Sequence, residues 1–262
     1  MNTDILLLSN TWYALLIGAA VGSVAGYLGS LMGTKRMTLS AGAFGHLTLP
    51  GIALALRYHF DVSIGALLFL IAGVSIIWLL EKKTTIPIDS LTAIVFTSSV
   101  ATAFLFLPHQ ETTAALLGNI TEITALTCII TVLTSCAIFA ISRYIFNRMI
   151  LITISSDIAL SKNIPVSKYN FIYLACIALM IALGVRIIGG LMTAALVAIP
   201  ASTSRNISTE LYQYAYISLV CGAISCVMGI LISQMLAIPV GSSIILSSSF
   251  LFIISLLFKK SI

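Results

Sequence analysis

The chain has 262 residues, of which 60% are hydrophobic and 8% are charged, and its formal net charge is +5. A soluble domain carries about a quarter charged residues, so this composition excludes an ordinary soluble protein and indicates an all-α bundle of transmembrane helices. The basic residues form no long cluster interleaved with aromatic residues, which argues against nucleic acid as a partner. We expect membrane lipid to surround the chain.

Apolar stretches long enough to cross a membrane occur eight or nine times, with loops too short to hold a separate soluble domain. The count is least certain where only Gly184 to Gly190 separates two stretches. The first 11 residues contain no Lys or Arg, so we expect the first stretch to remain as a transmembrane helix instead of being cleaved as a signal peptide. The predicted spans are 12–33, 38–56, 62–80, 91–107, 123–146, 169–185, 187–204, 211–236 and 242–258.

The basic residues predict how these spans are oriented. Cytoplasmic loops of membrane proteins carry an excess of Lys and Arg, and alternating spans place nearly all of them on one side here. Only Arg57 and Arg186 fall on the other side. We therefore expect the N-terminus outside and the C-terminus in the cytoplasm. The residues on the cytoplasmic side are Lys35, Arg36, Lys82, Lys83, Arg143, Arg148, Lys162, Lys168, Arg205, Lys259 and Lys260.

The first span carries glycines every four residues, at Gly18, Gly22 and Gly26. Residues four apart lie on one face of a helix, and a face of glycines lets another backbone approach closely. This pattern favours packing inside the bundle over a ligand site.

The second span contains His46, the histidine that lies within an apolar span, followed by Thr48, Pro50 and Gly51. An imidazole inside a membrane usually faces the protein interior and marks a pathway, and neutral imidazole is a common ligand of zinc, manganese and iron. Pro50 and Gly51 are expected to open the helix, which would expose carbonyl oxygens as further ligands. The alternative is a histidine that only hydrogen-bonds a neighbouring helix.

The segment 153–166 joins two spans on the predicted cytoplasmic side and has the pattern of a short helix. Ser156 or Asp157 can cap its N-terminus, Asn163 tolerates the left-handed conformation after it, and Pro165 stops it. A helix of two turns is not stable alone in water, so it needs a surface to lie against. That surface is either the bundle or a cytoplasmic partner. The helix itself comprises Ser156, Asp157, Ile158, Ala159 and Leu160.

The stretch from Ile188 to Ala201 combines small residues with a proline. Gly190, Ala194 and Ala198 recur every four residues, and Pro200 interrupts the hydrogen-bond ladder of the helix. Hydrocarbon tolerates such a break only where protein or a water-filled cavity receives the freed groups. The pattern predicts either a helix beside a pathway or a kinked packing helix.

These segments together resemble the integral-membrane permease of bacterial ABC importers of zinc, manganese or iron. The resemblance lies in Arg36-Met37, in Gly42 to His46 followed by Leu49-Pro50-Gly51-Ile52-Ala53, in 156–165, and in Gly189 to Arg205. It covers nearly the whole chain in the length and order of its spans.

The resemblance implies a single permease domain, residues 1–262, in the bacterial inner membrane, which binds no cofactor and is not itself an enzyme. The implied partners are cytoplasmic ABC ATPase subunits that bind the ATP, an extracytoplasmic metal-binding solute protein, and a second permease copy, most simply a homodimer. His46 matches the pathway histidine of the family, a metal contact. The segment 153–166 matches the coupling segment that docks on the ATPase.

The chain departs from the family pattern beside this histidine. The family's aspartate, one turn before the histidine, falls on Gly42, and the preceding serine falls on Gly45. A metal site at His46 therefore needs ligands from elsewhere, and the candidates are carbonyl oxygens near Pro50, the Thr48 hydroxyl and the Met192 sulfur.

Two functions other than a permease of an ATP-driven importer are a secondary transporter and a membrane-embedded enzyme. An ion-gradient-driven secondary transporter usually carries carboxylates inside its spans, whereas Asp89, Glu122 and Glu210 lie near predicted span ends. A membrane-embedded enzyme would need several convergent His, Asp or Glu residues. The chain has no phosphate-binding G-x-x-x-x-G-K-[ST] loop, so any ATP-driven work requires another chain.

Overall fold

The fold is built from α-helices joined by short turns. The structure, a computed structural model, describes residues 2–106 and 124–258, and these ranges contain no β-strand. The all-α prediction is therefore confirmed. The helices are α1 (Asn2–Thr34), α2 (Thr38–Leu47), α3 (Leu49–Tyr58), α4 (Val62–Lys83), α5 (Ile88–Phe106), α6 (Ala125–Ile154), α7 (Ser156–Ser161), α8 (Val166–Ile188), α9 (Gly190–Ile207), α10 (Leu211–Leu236) and α11 (Val240–Leu257).

Six helices within these ranges are long and apolar enough to cross a membrane, fewer than the eight or nine predicted. The predicted spans 38–56, 91–107 and 187–204 correspond to α2 with α3, to α5 and to α9, which are not among the six. Large apolar side chains such as Leu133 and Ile253 are exposed on the outside of the bundle, as expected where lipid surrounds it. The six are Thr11–Thr34, Val62–Lys83, Ala125–Ile154, Val166–Val185, Leu211–Leu236 and Val240–Leu257.

The predicted span 38–56 is divided into α2 and α3. Each has ten residues, or about 15 Å of helix, half of what a membrane requires. The division lies at Thr48, one of the residues of the predicted break, and not at Pro50 and Gly51 themselves. Pro50 occupies the first turn of α3, where its missing N–H costs nothing. Pro50 cannot donate to the His46 carbonyl four residues before it, and this carbonyl instead accepts a backbone N–H at the end of α2.

A single residue, Gly189, separates α8 from α9. Its φ of 91° lies in a region that other L-residues rarely adopt. The turn is held by Thr193, whose hydroxyl donates to the Gly189 carbonyl at 2.7 Å. This turn explains why the loop between the sixth and seventh predicted spans was so short in the sequence.

The glycines of α1 lie against α10. A Cβ atom on Gly22 would lie 2.4 Å from the Gly222 carbonyl oxygen, and one on Gly26 would lie 2.1 Å from the Ser218 carbonyl oxygen. The Ser218 hydroxyl donates to the Gly26 carbonyl at 2.6 Å. The glycine face thus brings two backbones into contact, which confirms the packing interpretation of this pattern.

Gly22→Ala is expected to destabilise the bundle by about 1–3 kcal/mol, because α1 and α10 must separate to admit the methyl group. Gly42→Ala is the matched control: nothing lies within 4 Å of a Cβ atom there, so the change should be neutral or slightly stabilising. Thermal unfolding of both variants in detergent tests this difference. Equal unfolding midpoints would show that the close contact between α1 and α10 contributes little to stability.

Candidate functional site

His46 lies in the last turn of α2, with its ring half-exposed and 5.2 Å from the Phe96 ring of α5, centroid to centroid. On the same helix Phe44 and Leu47 are fully buried or nearly so. The helix therefore has one face in the bundle core and one accessible face that carries the imidazole. Phe96 gave no signal in the sequence, since an aromatic residue in an apolar span is usually a packing residue.

Gly42 shares the accessible face of α2, one turn before His46. Nothing in the described structure lies within 4 Å of the position a Cβ atom would take, whereas Gly45 is buried. The space beside His46 is thus open at Gly42. A side chain as long as aspartate has room there, next to the imidazole.

The helix break places its polar groups close to His46. Thr48 is completely buried, and its hydroxyl donates to the Gly45 carbonyl at 2.6 Å. Pro50 is buried as well. The Thr48 hydroxyl is thus engaged within the break, and the His46 carbonyl accepts a backbone N–H at the end of α2.

Gly51 is placed differently from the prediction. It packs against Gly65 of α4, since a Cβ atom on Gly51 would lie 2.1 Å from the Gly65 carbonyl oxygen. The reciprocal distance, from a Cβ atom on Gly65 to the Gly51 carbonyl oxygen, is 2.3 Å. Gly51 therefore brings the backbones of α3 and α4 together, and this contact was missed because it joins glycines of two different helices.

Met192 and Pro200 lie on α9, which contacts α1, α2, α8, α10 and α11. The Met192 sulfur is 3.8 Å from the Ser242 hydroxyl of α11. Pro200 is buried, and the helix continues through it to Ile207. The predicted break in the hydrogen-bond ladder at Pro200 is therefore absorbed inside the bundle and does not end the helix.

Within residues 2–106 and 124–258, no three side chains of His, Cys, Asp or Glu come together as a group that could hold a metal ion. In this part of the chain the imidazole contacts the Phe96 ring of α5.

The segment 153–166 forms the short helix that the sequence predicts. Its N-terminal cap is Ser155, whose hydroxyl accepts from the Ile158 N–H at 3.3 Å, so the assignment of the cap to Ser156 or Asp157 was wrong. Ser155 has the extended backbone that a cap requires, whereas Ser156 is already the first helical residue. Asp157 lies in the first turn, where its charge suits the helix dipole.

The end of this helix follows the prediction. Asn163 has a φ of 55°, in the left-handed region. The Asn163 N–H donates to the Leu160 carbonyl at 2.9 Å and the Ile164 N–H to the Ala159 carbonyl at 3.0 Å, the two bonds that define a Schellman turn. Pro165 then forms the cap of α8. The turn fixes the direction in which α7 presents its side chains.

The helix α7 has a buried side and an exposed apolar side. Ala159 is 0% exposed, while Ile158 and Leu160 are 47% and 58% exposed, and the preceding Ile154 is 71% exposed. Exposed Ile and Leu side chains at a polar end of the bundle are not stabilised there by contact with lipid or with water. This surface has the character of a docking site for another protein.

Sequence reasoning missed a chain of hydrogen bonds among Lys35, Asn170 and Glu81. The Lys35 ammonium donates to the Asn170 side-chain oxygen at 2.6 Å, and the Asn170 amide donates to the Glu81 carboxylate at 2.6 Å. Burial lowers the pKa of Lys35 to about 8, against the opposing effect of the nearby Glu81 carboxylate. Lys35 directly follows α1, Asn170 lies near the start of α8 and Glu81 lies in the last turn of α4, so these bonds join the ends of three helices.

The chain matches a known family over nearly its whole length. The ABC 3 transport family model matches residues 8–259. The high-affinity zinc uptake system membrane protein ZnuB of Buchnera aphidicola subsp. Baizongia pistaciae is 30% identical over 258 residues, 95% of this chain and 97% of the relative. The manganese import system permease protein ScaB of Streptococcus parasanguinis is 25% identical over 246 residues, 92% of this chain and 88% of the relative.

A solved structure shares the fold. PsaBC from Streptococcus pneumoniae, in complex with Fab, superimposes with a TM-score of 0.78 at 25% identity, and the match covers 93% of this chain and 90% of that chain. The fold described above is therefore shared with a solved protein. This chain, a multi-pass protein of the bacterial inner membrane, belongs to the ABC 3 transport family.

Proposed function

We propose that this chain is the membrane permease subunit of an ATP-driven importer of a divalent transition metal ion: zinc, manganese or iron. The observation that carries this proposal is the match of the family and of zinc and manganese uptake permeases over more than nine-tenths of the chain. Residues 1–262 act as one permease domain without a bound cofactor. ATP is hydrolysed by separate subunits.

His46 contacts the metal ion along its route. The half-exposed position of the imidazole, on a helix whose opposite face is buried, supports this contact. Open space at Gly42 lies one turn from the imidazole. An ion that loses part of its hydration shell inside the membrane would find a nitrogen ligand here. Thr48, Pro50 and Gly51 form the helix break beside His46, and Met192 and Pro200 belong to the adjacent helix α9.

A second permease copy completes the route. The face of α2 that carries His46 is accessible in a single chain, and an ion pathway through a membrane must be shielded from lipid. A homodimer would provide this shielding by pairing two such faces. On the outside, an extracytoplasmic metal-binding solute protein would deliver the ion.

The segment 153–166 couples the permease to its ATPase. The exposed Ile158 and Leu160 would enter a groove of the ATPase, while the buried Ala159 keeps the helix seated on the bundle. Ser156 and Asp157 lie in the first turn, and Asn163 with Pro165 sets the exit of the chain into α8. The Lys35, Asn170 and Glu81 bonds would carry movement of this segment toward α2.

We place the N-terminus outside the cell and the C-terminus in the cytoplasm, with nine crossings. The contacts among Lys35, Asn170 and Glu81 support this arrangement, because they join the end of α1, the start of α8 and the end of α4 at one end of the bundle. Lys82, Lys83, Arg148 and Lys168 lie near the same helix ends. The crossings beyond the six apolar helices would be α2 with α3, α5 and α9. Lys259 and Lys260 lie outside the described residues.

The alternative is a secondary transporter driven by an ion gradient. Such transporters use carboxylates inside the membrane, whereas the carboxylates in the described part of this chain lie in the first or last turns of helices or in the adjoining turns; they are Asp4, Asp61, Glu81, Asp89, Asp157 and Glu210. A mild-detergent pull-down of the chain from its native membrane separates the two functions. A stoichiometric ATPase supports the importer, and recovery of the chain alone after crosslinking supports the alternative.

Gly42→Asp is expected to raise the affinity of the His46 site for zinc or manganese by about tenfold or more, because the carboxylate would lie one helical turn from the imidazole in open space. Calorimetric titration of the purified chain with each metal measures the effect. Gly42→Asn, with the same shape and no charge, is the control. An unchanged affinity in Gly42→Asp would show that an ion does not approach this face of α2.

A further inference from the structure

An apolar groove runs along the lipid-facing side of the bundle between α4, α6 and α8. It encloses about 350 Å³ and is lined almost entirely by apolar side chains, among them Ile64, Leu67, Ile138, Leu179 and Leu183. Ile64 and Leu179 are partly exposed, at 54% and 39%, so the groove lies at the surface that the hydrocarbon of a membrane would cover. Such a groove accepts a chain of methylene groups.

The groove continues toward the end of the bundle where basic residues gather. A second cavity of about 430 Å³ lies between α6 and α8 and shares Ile141 with the first. Its polar wall is formed by Tyr144, Arg148, Lys168 and Tyr169. None of the described residues that line either cavity is acidic. The two cavities adjoin at Ile141, and together they are apolar along the bundle and cationic at one end.

The guanidinium of Arg148 is held in place by aromatic side chains. It lies 4.9 Å from the centre of the Tyr144 ring and 5.1 Å from that of Tyr169, and it donates to the Tyr169 hydroxyl. Guanidinium has five N–H donors, so others remain for a ligand. Lys168, next to Tyr169, is exposed at the mouth of the cavity. Two positive charges beside two tyrosines are the chemistry of a phosphate site at a membrane interface.

We propose that this site binds one anionic phospholipid, of the phosphatidylglycerol class. Its phosphate lies between Arg148 and Lys168, and an acyl chain lies along Ile141, Ile138 and Leu179. Charge complementarity selects this occupant, because a soluble anion would leave the apolar groove empty and a neutral apolar helix would leave the two cations without a counter-charge.

Native mass spectrometry of the full chain, reconstituted in equal amounts of phosphatidylglycerol and phosphatidylcholine and then extracted, tests the proposal. The wild type should retain one phosphatidylglycerol in preference to phosphatidylcholine. The double variant Arg148→Gln and Lys168→Gln should lower that preference roughly 30-fold, which corresponds to about fivefold for each basic residue. The control Lys83→Gln and Lys162→Gln removes two charges at the same end but outside the groove, and should retain the lipid.

A second variant tests the proposal even if the double variant misfolds. Ala137→Trp fills the groove from an exposed position and leaves both basic residues intact, so it should also lose the lipid while eluting as wild type on size exclusion. Equal retention of both lipids, full retention by the double variant, displacement of the lipid by excess inorganic phosphate, or a second copy of the chain bound across the groove in place of lipid would each overturn the proposal.

Discussion

His46→Ala is expected to lower metal uptake at least about tenfold at limiting metal concentration. The imidazole is the side-chain nitrogen on the accessible face of α2, and metal sites commonly lose about 10–100-fold in affinity or activity when even a supporting residue is removed. Uptake of radioactive zinc and manganese by cells without another uptake system for the same metal measures the effect. The amount of permease in the membrane and the amount of ATPase that co-purifies should stay at wild-type levels.

The matched control is His59→Asn. His59 is exposed and caps α3 in the left-handed conformation, which asparagine also adopts. It removes an imidazole from the same chain without touching α2, and uptake should remain unchanged. Wild-type uptake in His46→Ala would exclude His46 as a metal contact. Equal losses of uptake in both variants would show that the loss is not specific to His46.

Leu160→Asp should weaken the association with the ATPase by about 30-fold or more. The side chain is exposed in the single chain, so the substitution leaves the fold intact, yet a carboxylate in place of a central apolar contact is incompatible with a dry interface. Co-purification of the ATPase with the permease, at increasing dilution, measures the loss. ATP hydrolysis that is stimulated by the permease should fall in parallel.

Two further variants give this experiment its controls. Ile86→Asp places the same charge at another exposed apolar residue, in the turn between α4 and α5, and should leave association unchanged. Ala159→Asp buries the charge against the bundle and should destabilise the permease itself. Undiminished association of Leu160→Asp would move the docking surface away from 153–166.

Features that depend on local sequence could be predicted. The glycine face of α1 and the left-handed turn at Asn163 follow from helical periodicity and from the conformational preferences of single residues. The composition was sufficient for the all-α membrane fold. The role of His46 stays a prediction that rests on the rarity of imidazole in an apolar span.

Features that depend on tertiary contacts could not be predicted. The bonds from Lys35 to Asn170 and from Asn170 to Glu81 join residues far apart in the chain. The break at Thr48, two residues before Pro50, reflects the tolerance of a first helical turn for proline. The N-cap of α7 is Ser155 and not Ser156. The sequence could not distinguish the two serines, because they differ only in backbone conformation. The helix α9 is not among the six apolar helices, and its second half carries Ser202, Thr203, Ser204, Arg205 and Asn206.

The most direct test of the proposed function is metal flux in proteoliposomes that contain the chain together with its co-purified ATPase and the solute-binding protein. With ATP on the cytoplasmic face, radioactive zinc or manganese should move from the side of the solute-binding protein to the other side, and a non-hydrolysable ATP analogue should abolish the movement. Metal movement by the chain alone, driven by a proton or sodium gradient without ATP, would contradict the account and establish a secondary transporter.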